Sequence, residues 1–104
     1  MLLKSIKAIN SPYPLFIARD EENINIIEFL NGEKNNLRLT REEAKTILAP
    51  ETGSFIKFAE GAVQFWKPED EEPEVMIYFY GDNSASIVIA PYDEFEIALT
   101  EILR

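Results

Sequence analysis

The stretch VMIYFYGDNSASIVIAP at residues 75–91 decides the fold of this chain. Two short segments rich in β-branched and aromatic residues flank the turn-forming residues 81–83, and this pattern predicts a pair of antiparallel strands. Successive strand residues point to opposite faces, so Ile77 and Phe79 share one face while Tyr78 and Tyr80 share the other. Both faces are apolar or aromatic. The role of the second face has to be inferred from the rest of the sequence.

Length and composition predict one globular domain spanning residues 1–104. The chain has 104 residues, of which 46% are hydrophobic, and it contains neither cysteine nor histidine. The commonest general base and the commonest transition-metal ligand are therefore missing. We predict a non-enzymatic protein that needs no cofactor and no metal. The sequence has no apolar run of membrane-spanning length, which predicts a cytoplasmic protein without a membrane association.

The excess of negative over positive charge is confined to the second half of the chain. The formal net charge is −9. Residues 1–50 contain seven basic and seven acidic side chains, whereas residues 51–104 contain three basic and twelve acidic ones. The half that carries the aromatic strand is therefore also the acidic half.

The sequence resembles itself at an offset of fifty residues. The offset places Ile27 and Phe29 on Ile77 and Phe79, and it places the acidic triplet at residues 20–22 on the triplet at 70–72. A fixed period of this size is typical of an internally repeated architecture. We therefore predict two pseudo-repeats, residues 1–50 and residues 51–104.

Each half has the pattern of four strands followed by a helix. Thr40 and Glu43 form a capping-box sequence ahead of the first helix, and an apolar i, i+3, i+4, i+7 stripe marks the second. The predicted strands and helices, in chain order, are Leu3–Ile9, Leu15–Arg19, Ile24–Leu30, Leu37–Thr40, helix Ala44–Leu48, Phe55–Ala59, Val63–Lys67, Val75–Tyr80, Ser86–Ala90 and a helix from about Tyr92. The expected fold class is α+β: two tandem ββββα pseudo-repeats, with antiparallel sheets and both helices packed on one side.

Strand alternation assigns a core face and a second face to each predicted sheet. In the second half the predicted core positions are Ile56, Phe58, Val63, Phe65, Ile77, Phe79, Ile87 and Ile89. The predicted second face carries Lys57, Gln64, Trp66, Tyr78, Tyr80 and Val88, and its first-half counterparts include Lys7, Glu28 and Arg38. Aromatic side chains are concentrated on the second face of the second half.

Three interpretations of this aromatic face remain open. The two repeats, or two chains in a homodimer, bury it as ordinary core. Alternatively, it is a platform on which the bases of single-stranded DNA or RNA stack. In the third interpretation it is an exposed patch that binds a protein partner.

Two junctions resemble the strand-to-helix junctions of the Whirly and Pur-alpha group of single-stranded nucleic-acid-binding proteins. These are LRLTREEA at residues 37–44 and IVIAPYDE at residues 87–94. The resemblance implies that the sheet faces opposite the helices bind the strand. For such a function we predict stacking on Trp66, Tyr78 and Tyr80, and phosphate contacts from Lys7, Arg38 and Lys57.

The acidic second half supports an alternative function. Twelve carboxylates in residues 51–104 suit a protein-interaction module that binds or inhibits a basic protein, with a salt-sensitive affinity. The densest acidic run, residues 69–74, lacks the spaced ligands and the turn glycine of a calcium-binding loop. We therefore predict that this run is a solvated connection between strands.

Overall fold

The chain folds into two four-stranded antiparallel sheets and two helices. The computed structural model describes residues 2–30, 32–48, 53–67, 69–81 and 85–104. Sheet A contains β1 (Leu2–Ile6), β2 (Leu15–Arg19), β3 (Asn23–Leu30) and β4 (Glu33–Thr40), and sheet B contains β5 (Phe55–Lys57), β6 (Gly61–Trp66), β7 (Glu74–Tyr80) and β8 (Ala85–Pro91). Helix α1 (Arg41–Thr46) follows β4, and helix α2 (Tyr92–Leu103) follows β8. The predicted α+β class with antiparallel sheets is confirmed.

Several predicted boundaries are wrong by a few residues. Strand β1 ends at Ile6 rather than Ile9, and β5 ends at Lys57 rather than Ala59. Strand β4 begins at Glu33, opposite Leu30, so strand pairing extends over much of the predicted connection. The predicted turn residues Asp82 and Asn83 lie outside the described residues.

The capping box predicted at the start of α1 is confirmed. The Thr40 hydroxyl accepts a hydrogen bond from the Glu43 backbone N–H at 3.0 Å, and the Glu43 carboxylate accepts one from the Thr40 N–H at 3.0 Å. Both donors would otherwise lack partners at the first turn of a helix. The helix is short, however, and ends at Thr46, where the sequence predicted helix to Leu48.

One hydrophobic core joins both sheets and both helices. Its central rows follow from the strand register: Ile17, Ile26 and Leu37 lie side by side in sheet A, and Val63, Ile77 and Val88 do so in sheet B. These six side chains are at most 2% exposed. Directly opposed strand residues share a face, so each row presents a continuous apolar strip to the core.

In β3 the predicted assignment of faces is wrong. Ile24, Ile26 and Glu28 point inward, whereas Phe29 is exposed. The two consecutive isoleucines at positions 26 and 27 fit either alternation, and the pairing of Ile26 between Ile17 and Leu37 decides between them. Burial of Glu28 is tolerated because its carboxylate accepts a 2.9 Å hydrogen bond from the Asn35 amide on the paired strand.

In β8 the assignment of faces is also wrong. Val88 and Ala90 are buried, whereas Ile87 is exposed and Ile89 is half-buried. The apolar run of residues 87–90 has no alternation, so the sequence cannot select a face. The register selects it, because Val88 lies opposite Ile77.

Helix α2 packs against both sheets, and two arginines bind its C-terminal end. The helix contacts β1 and β2 of sheet A and β7 and β8 of sheet B. The Arg19 guanidinium donates to the carbonyl oxygens of Ile102 and Arg104, and Arg41 donates to that of Leu103. These carbonyls have no partner within the helix, and positive charge at this end is favourable for the helix dipole.

Residues that follow β1 join the two sheets at the edge of β8. The Ile9 N–H donates to the Ile89 carbonyl at 2.7 Å. The Asn10 amide group then donates to the Ile87 carbonyl and accepts from the Ile89 N–H, each at 2.8 Å. The Asn10 side chain thereby supplies the two hydrogen bonds that a neighbouring strand residue would supply.

Close contact between strands leads to a first prediction, at Gly61. A Cβ atom at this position would collide with the backbone carbonyl of Tyr78 and would lie 3.3 Å from Leu37 Cδ1. We expect Gly61→Ala to lower the free energy of unfolding by about 2 kcal/mol or more, because neither backbone can move without disturbing the sheet. Urea titration followed by circular dichroism measures the loss.

Gly53→Ala is the matched control for this prediction. Gly53 has open space around it and a φ of 86°, so an alanine there costs about 1 kcal/mol through backbone strain alone. An equal loss of stability in the two variants would contradict the packing inferred at Gly61.

Tyr92 connects the start of α2 to the end of the α1 segment. Its hydroxyl donates to the Leu48 carbonyl at 2.7 Å, and its ring lies edge-on to Phe65 with ring centroids 5.4 Å apart. Burial raises the pKa of Tyr92 well above its ordinary value of 10.0. The neutral hydroxyl is therefore the form that the fold favours.

This geometry predicts an alkaline loss of stability that depends on Tyr92. Below pH 10 the tyrosine is neutral in both states, and its contribution is complete. At higher pH the unfolded chain releases the proton that the folded chain retains, so stability falls as the pH rises. We expect Tyr92→Phe to reduce the slope of unfolding free energy against pH above pH 10, measured by urea titration at a series of pH values. Tyr13→Phe, at an exposed tyrosine, is the control, and an unchanged slope in Tyr92→Phe would contradict the assignment.

Candidate functional site

The outward side of sheet B carries a contiguous group of large apolar and aromatic side chains, which we call the aromatic face. Its members are Phe55, Trp66, Met76, Tyr78, Tyr80, Ile87 and Ile89. The register aligns Phe55, Gln64, Met76 and Ile89 in one row across the four strands, and it aligns Lys57, Ala62, Tyr78 and Ile87 in the next. The predicted stacking residues therefore lie on one surface, as expected from strand alternation.

Much of the aromatic face is accessible to solvent. Trp66 and Tyr80 are each 48% exposed, Ile87 is 44% exposed and Phe55 is 42% exposed. The interpretation that the two halves of one chain bury this face against each other is therefore wrong. Contiguous exposed apolar groups commonly mark binding surfaces.

Tyr78 contacts neighbouring side chains at the centre of the aromatic face. Its hydroxyl donates to Gln64 Oε1 at 2.7 Å, and its ring meets Phe55 edge-on with ring centroids 5.5 Å apart. The half-buried ring of Tyr78 thus has one polar partner and one aromatic partner already in place. A side chain ordered in advance loses little conformational freedom when a ligand binds.

Trp66 and Tyr80 lie at opposite ends of the aromatic face. Trp66 pairs with Glu74, the first residue of β7, whereas Tyr80 is the last residue of that strand. The two positions are offset by six residues along the strand, which corresponds to about 20 Å. The face is therefore an elongated surface with Phe55, Met76 and Tyr78 between its ends.

The three predicted phosphate contacts do not come together. Lys57 lies on the aromatic face in the same row as Tyr78. Arg38 is on the outward side of sheet A, opposite Asn25, and Lys7 lines a groove between β1 and α2. Only one of the three cations is thus placed beside the predicted stacking residues.

Carboxylates flank both ends of the aromatic face. At one end the half-buried Glu74 lies beside Trp66, next to the exposed acidic residues of the β6–β7 connection at 69–72. At the other end the carbonyl of Glu60 accepts the Tyr80 N–H, which brings the exposed Glu60 close to Tyr80. Acidic side chains therefore outnumber basic ones at the Trp66 end of this surface.

Sequence reasoning missed four members of the face. Phe55 was detectable, because the alternation that points Ile56 inward points Phe55 outward. Met76 follows in the same way from Ile77. Ile87 and Ile89 were not detectable, because their apolar run has no alternation.

Sheet A has a smaller apolar patch on its own outward side. Phe16 and Phe29 meet edge-on with ring centroids 5.8 Å apart, and Phe29 is 44% exposed. Beside them the Asn25 amide donates to the Asp20 carboxylate, and the Asn36 amide donates to Asn25 Oδ1. Hydrogen bonds from the backbone N–H groups of Asn23 and Glu22 lower the pKa of Asp20, and the charge of Arg38 adds to this effect.

Within the described ranges, no group of three or more acidic side chains is arranged to hold a metal ion. In the same part of the chain, neither helix is long and apolar enough to cross a membrane. Comparison with known proteins found no matching family model, curated protein or solved structure. The similarity to the Whirly and Pur-alpha group therefore remains a prediction.

The surroundings of Trp66 predict how its fluorescence responds to charged quenchers. Trp66 is the single tryptophan, and Glu74 lies directly opposite it. Relative to their effects on free N-acetyltryptophanamide, we expect caesium to quench its emission more strongly than iodide, because the neighbouring carboxylates concentrate cations and repel anions. High salt should reduce the difference, since exposed charges are screened.

Glu74→Gln is the control for this measurement and should reduce the preference for caesium. Free N-acetyltryptophanamide provides the neutral reference. Quenching by iodide that equals or exceeds quenching by caesium, after both are normalised to this reference, would contradict the acidic surroundings inferred at this end of the aromatic face.

Proposed function

We propose that this chain is a small non-enzymatic binding module that uses the aromatic face of sheet B to bind a partner protein. One observation carries the proposal: an elongated apolar surface is exposed, carries Lys57 and has carboxylates at both ends. Protein interfaces are enriched in Trp, Tyr, Phe and Met, and their centres are depleted of charge. The composition of the aromatic face matches this pattern.

The distribution of cations favours a protein over a nucleic acid as the ligand. Most non-specific affinity for nucleic acid comes from cations that replace the counterions of the phosphates. Lys57 is on the aromatic face, but Arg38 and Lys7 lie on other surfaces. A strand stacked on Trp66 would also meet Glu74 and the acidic residues 69–72. These charges would weaken phosphate binding along the face.

The charges around the face define the chemistry of the partner. An apolar surface flanked by lysine or arginine would bury the aromatic side chains and also place its cations near Glu74 and Glu60. Such complementarity accelerates association and excludes acidic competitors. The proposed partner is therefore a basic protein, and binding that blocks the partner's own basic site would give this chain an inhibitory or regulatory role.

We also infer that residues 1–50 and 51–104 are tandem ββββα pseudo-repeats that have diverged. The shared order of four antiparallel strands and a helix supports this inference. The first helix has six residues and the second has twelve. Divergence of the outward faces, with the large aromatic surface on sheet B, is consistent with a binding function acquired by one repeat.

Selection of peptides from a random library displayed on phage tests the proposed function. We expect the wild-type protein to enrich peptides that combine apolar or aromatic residues with Lys or Arg. Trp66→Ala should weaken binding of the selected synthetic peptides by about tenfold or more, since truncating an aromatic anchor commonly costs on the order of 2 kcal/mol. Isothermal titration calorimetry at low and high salt measures both the loss and its salt dependence.

Phe29→Ala is the matched control, because Phe29 is a similarly exposed aromatic residue on the other sheet. Selected peptides that respond to Phe29→Ala and not to Trp66→Ala would contradict the proposal. Titration of fluorescent single-stranded DNA and RNA oligonucleotides at low salt tests nucleic-acid binding separately. Binding that quenches Trp66 and weakens with salt would identify the face as a nucleic-acid platform instead.

A further inference from the structure

The outer edge of β1 borders an open groove beside α2. Strand β1 is the first strand in the order of sheet A, and a cavity of about 440 Å³ lies between it and the helix. Residues 4–7 form the strand side of the groove. Its helix side is formed by Glu94, Ile97, Ala98 and Glu101.

This edge differs from the edge of β8 in its hydrogen bonding. The β8 edge is occupied by Ile9 and Asn10. Over Leu2–Ile6, by contrast, β1 pairs with no strand other than β2 in the described part of the chain. Half of the backbone N–H and C=O groups of an edge strand point away from its neighbour and can pair with another chain.

Helix α2 presents a second apolar position toward the groove. Its core stripe consists of Phe95, Ala98, Leu99 and Ile102. Ile97 lies outside that stripe, lines the groove and is 61% exposed, the highest exposure of any large hydrophobic residue that the structure describes. The described residues of this chain do not cover Ile97, so its burial would require contact with a further surface.

The charges on the two sides of the groove are opposite. Lys4 and Lys7 lie on the strand side, and Glu94 and Glu101 lie on the helix side. Lys4 and Glu101 form an ion pair of 2.6 Å within the chain. A twofold interface places one patch against the same patch of a second copy, so the patch must complement itself. This patch meets that condition, whereas the aromatic face, with carboxylates at both ends, would repel its own copy.

We propose that the β1 edge and the groove-facing side of α2 bind a second copy of this chain about a twofold axis. The two β1 strands pair antiparallel, so that sheet A continues into sheet A of the second copy, and the two Ile97 side chains approach each other near the axis. This surface is distinct from the aromatic face, so the dimer leaves that face available to another partner.

The positions of the charged side chains along the groove support the twofold arrangement. Glu101 lies at the level of Lys4, as their ion pair shows, and Glu94 lies about 10 Å further along, since helix residues rise 1.5 Å each. Lys4 and Lys7 are three residues apart in the extended chain, so about the same distance separates them. Glu94 therefore lies beside Lys7 along the groove. Antiparallel pairing centred near Ser5 then brings Lys7 of one copy close to Glu101 of the other.

Sedimentation equilibrium tests the proposed dimer. We expect the wild type to dimerise at micromolar concentration and Ile97→Glu to weaken the dimer by about 100-fold, because a twofold interface contains each substitution twice. Ile87→Glu, at an exposed isoleucine of the aromatic face, should leave the dimer intact and abolish peptide binding. Ile97→Glu should leave peptide binding intact, so failure of one proposal is distinguishable from failure of the other.

Two results of this experiment would overturn the inference. One is a wild type that remains monomeric at about 200 μM, where even weak specific dimers form. The other is a dimer that survives Ile97→Glu and dissociates with Ile87→Glu, which would place self-association on the aromatic face.

A single introduced cysteine tests the pairing of the strand edge directly. The chain contains no cysteine, so Ser5→Cys can form a disulfide only between copies. Opposed residues of antiparallel strands have Cα atoms about 4.5–5.5 Å apart, within the range of a disulfide. We expect Ser5→Cys to oxidise to a covalent dimer much faster than Lys57→Cys, which lies exposed on the aromatic face. Equal rates would contradict pairing through β1.

Discussion

The structure depends on one constraint: each small sheet can bury only one face, and the inner faces of both sheets have to be covered together. Each sheet has one apolar face, and such a face has to be buried against another element of the fold. Helix α2 meets this requirement by contacting strands of both sheets. The bonds from Ile9 and Asn10 to β8 join the sheets at their edges. The outer faces consequently remain in contact with water.

The same constraint explains why the two halves have different surfaces. Inner positions in both sheets are filled by similar aliphatic residues, such as Ile26 in β3 and Ile77 in β7. Outer positions have no such restriction, and sheet B carries Trp66 and Tyr80 where sheet A carries a smaller patch around Phe16 and Phe29. One further surface follows from the sheet edges, because the β8 edge is occupied while the β1 edge is open.

The charged side chains on the two proposed surfaces favour different partners. The aromatic face has acidic residues at both ends, which favours a basic partner and disfavours a second copy. The β1 groove has lysines on the strand and glutamates on the helix, which suits a twofold contact between identical chains. A dimer joined through β1 would display two aromatic faces, and a partner with two basic apolar segments would gain avidity from both.

The amino-acid sequence by itself determined the number and order of the strands and helices, the capping box at Thr40 and the aromatic character of sheet B, because these features depend on local periodicity and on neighbouring residues. It placed Tyr78 and Tyr80 on one face correctly, since Ile77 and Phe79 alternate with them. Only the tertiary structure decided the faces of β3 and β8, where Ile26-Ile27 and the apolar run 87–90 fit both alternations and pairing with a neighbouring strand makes the choice. Tertiary structure also separated Lys7 and Arg38 from the aromatic face, because the distance between residues on different sheets depends on how the sheets pack.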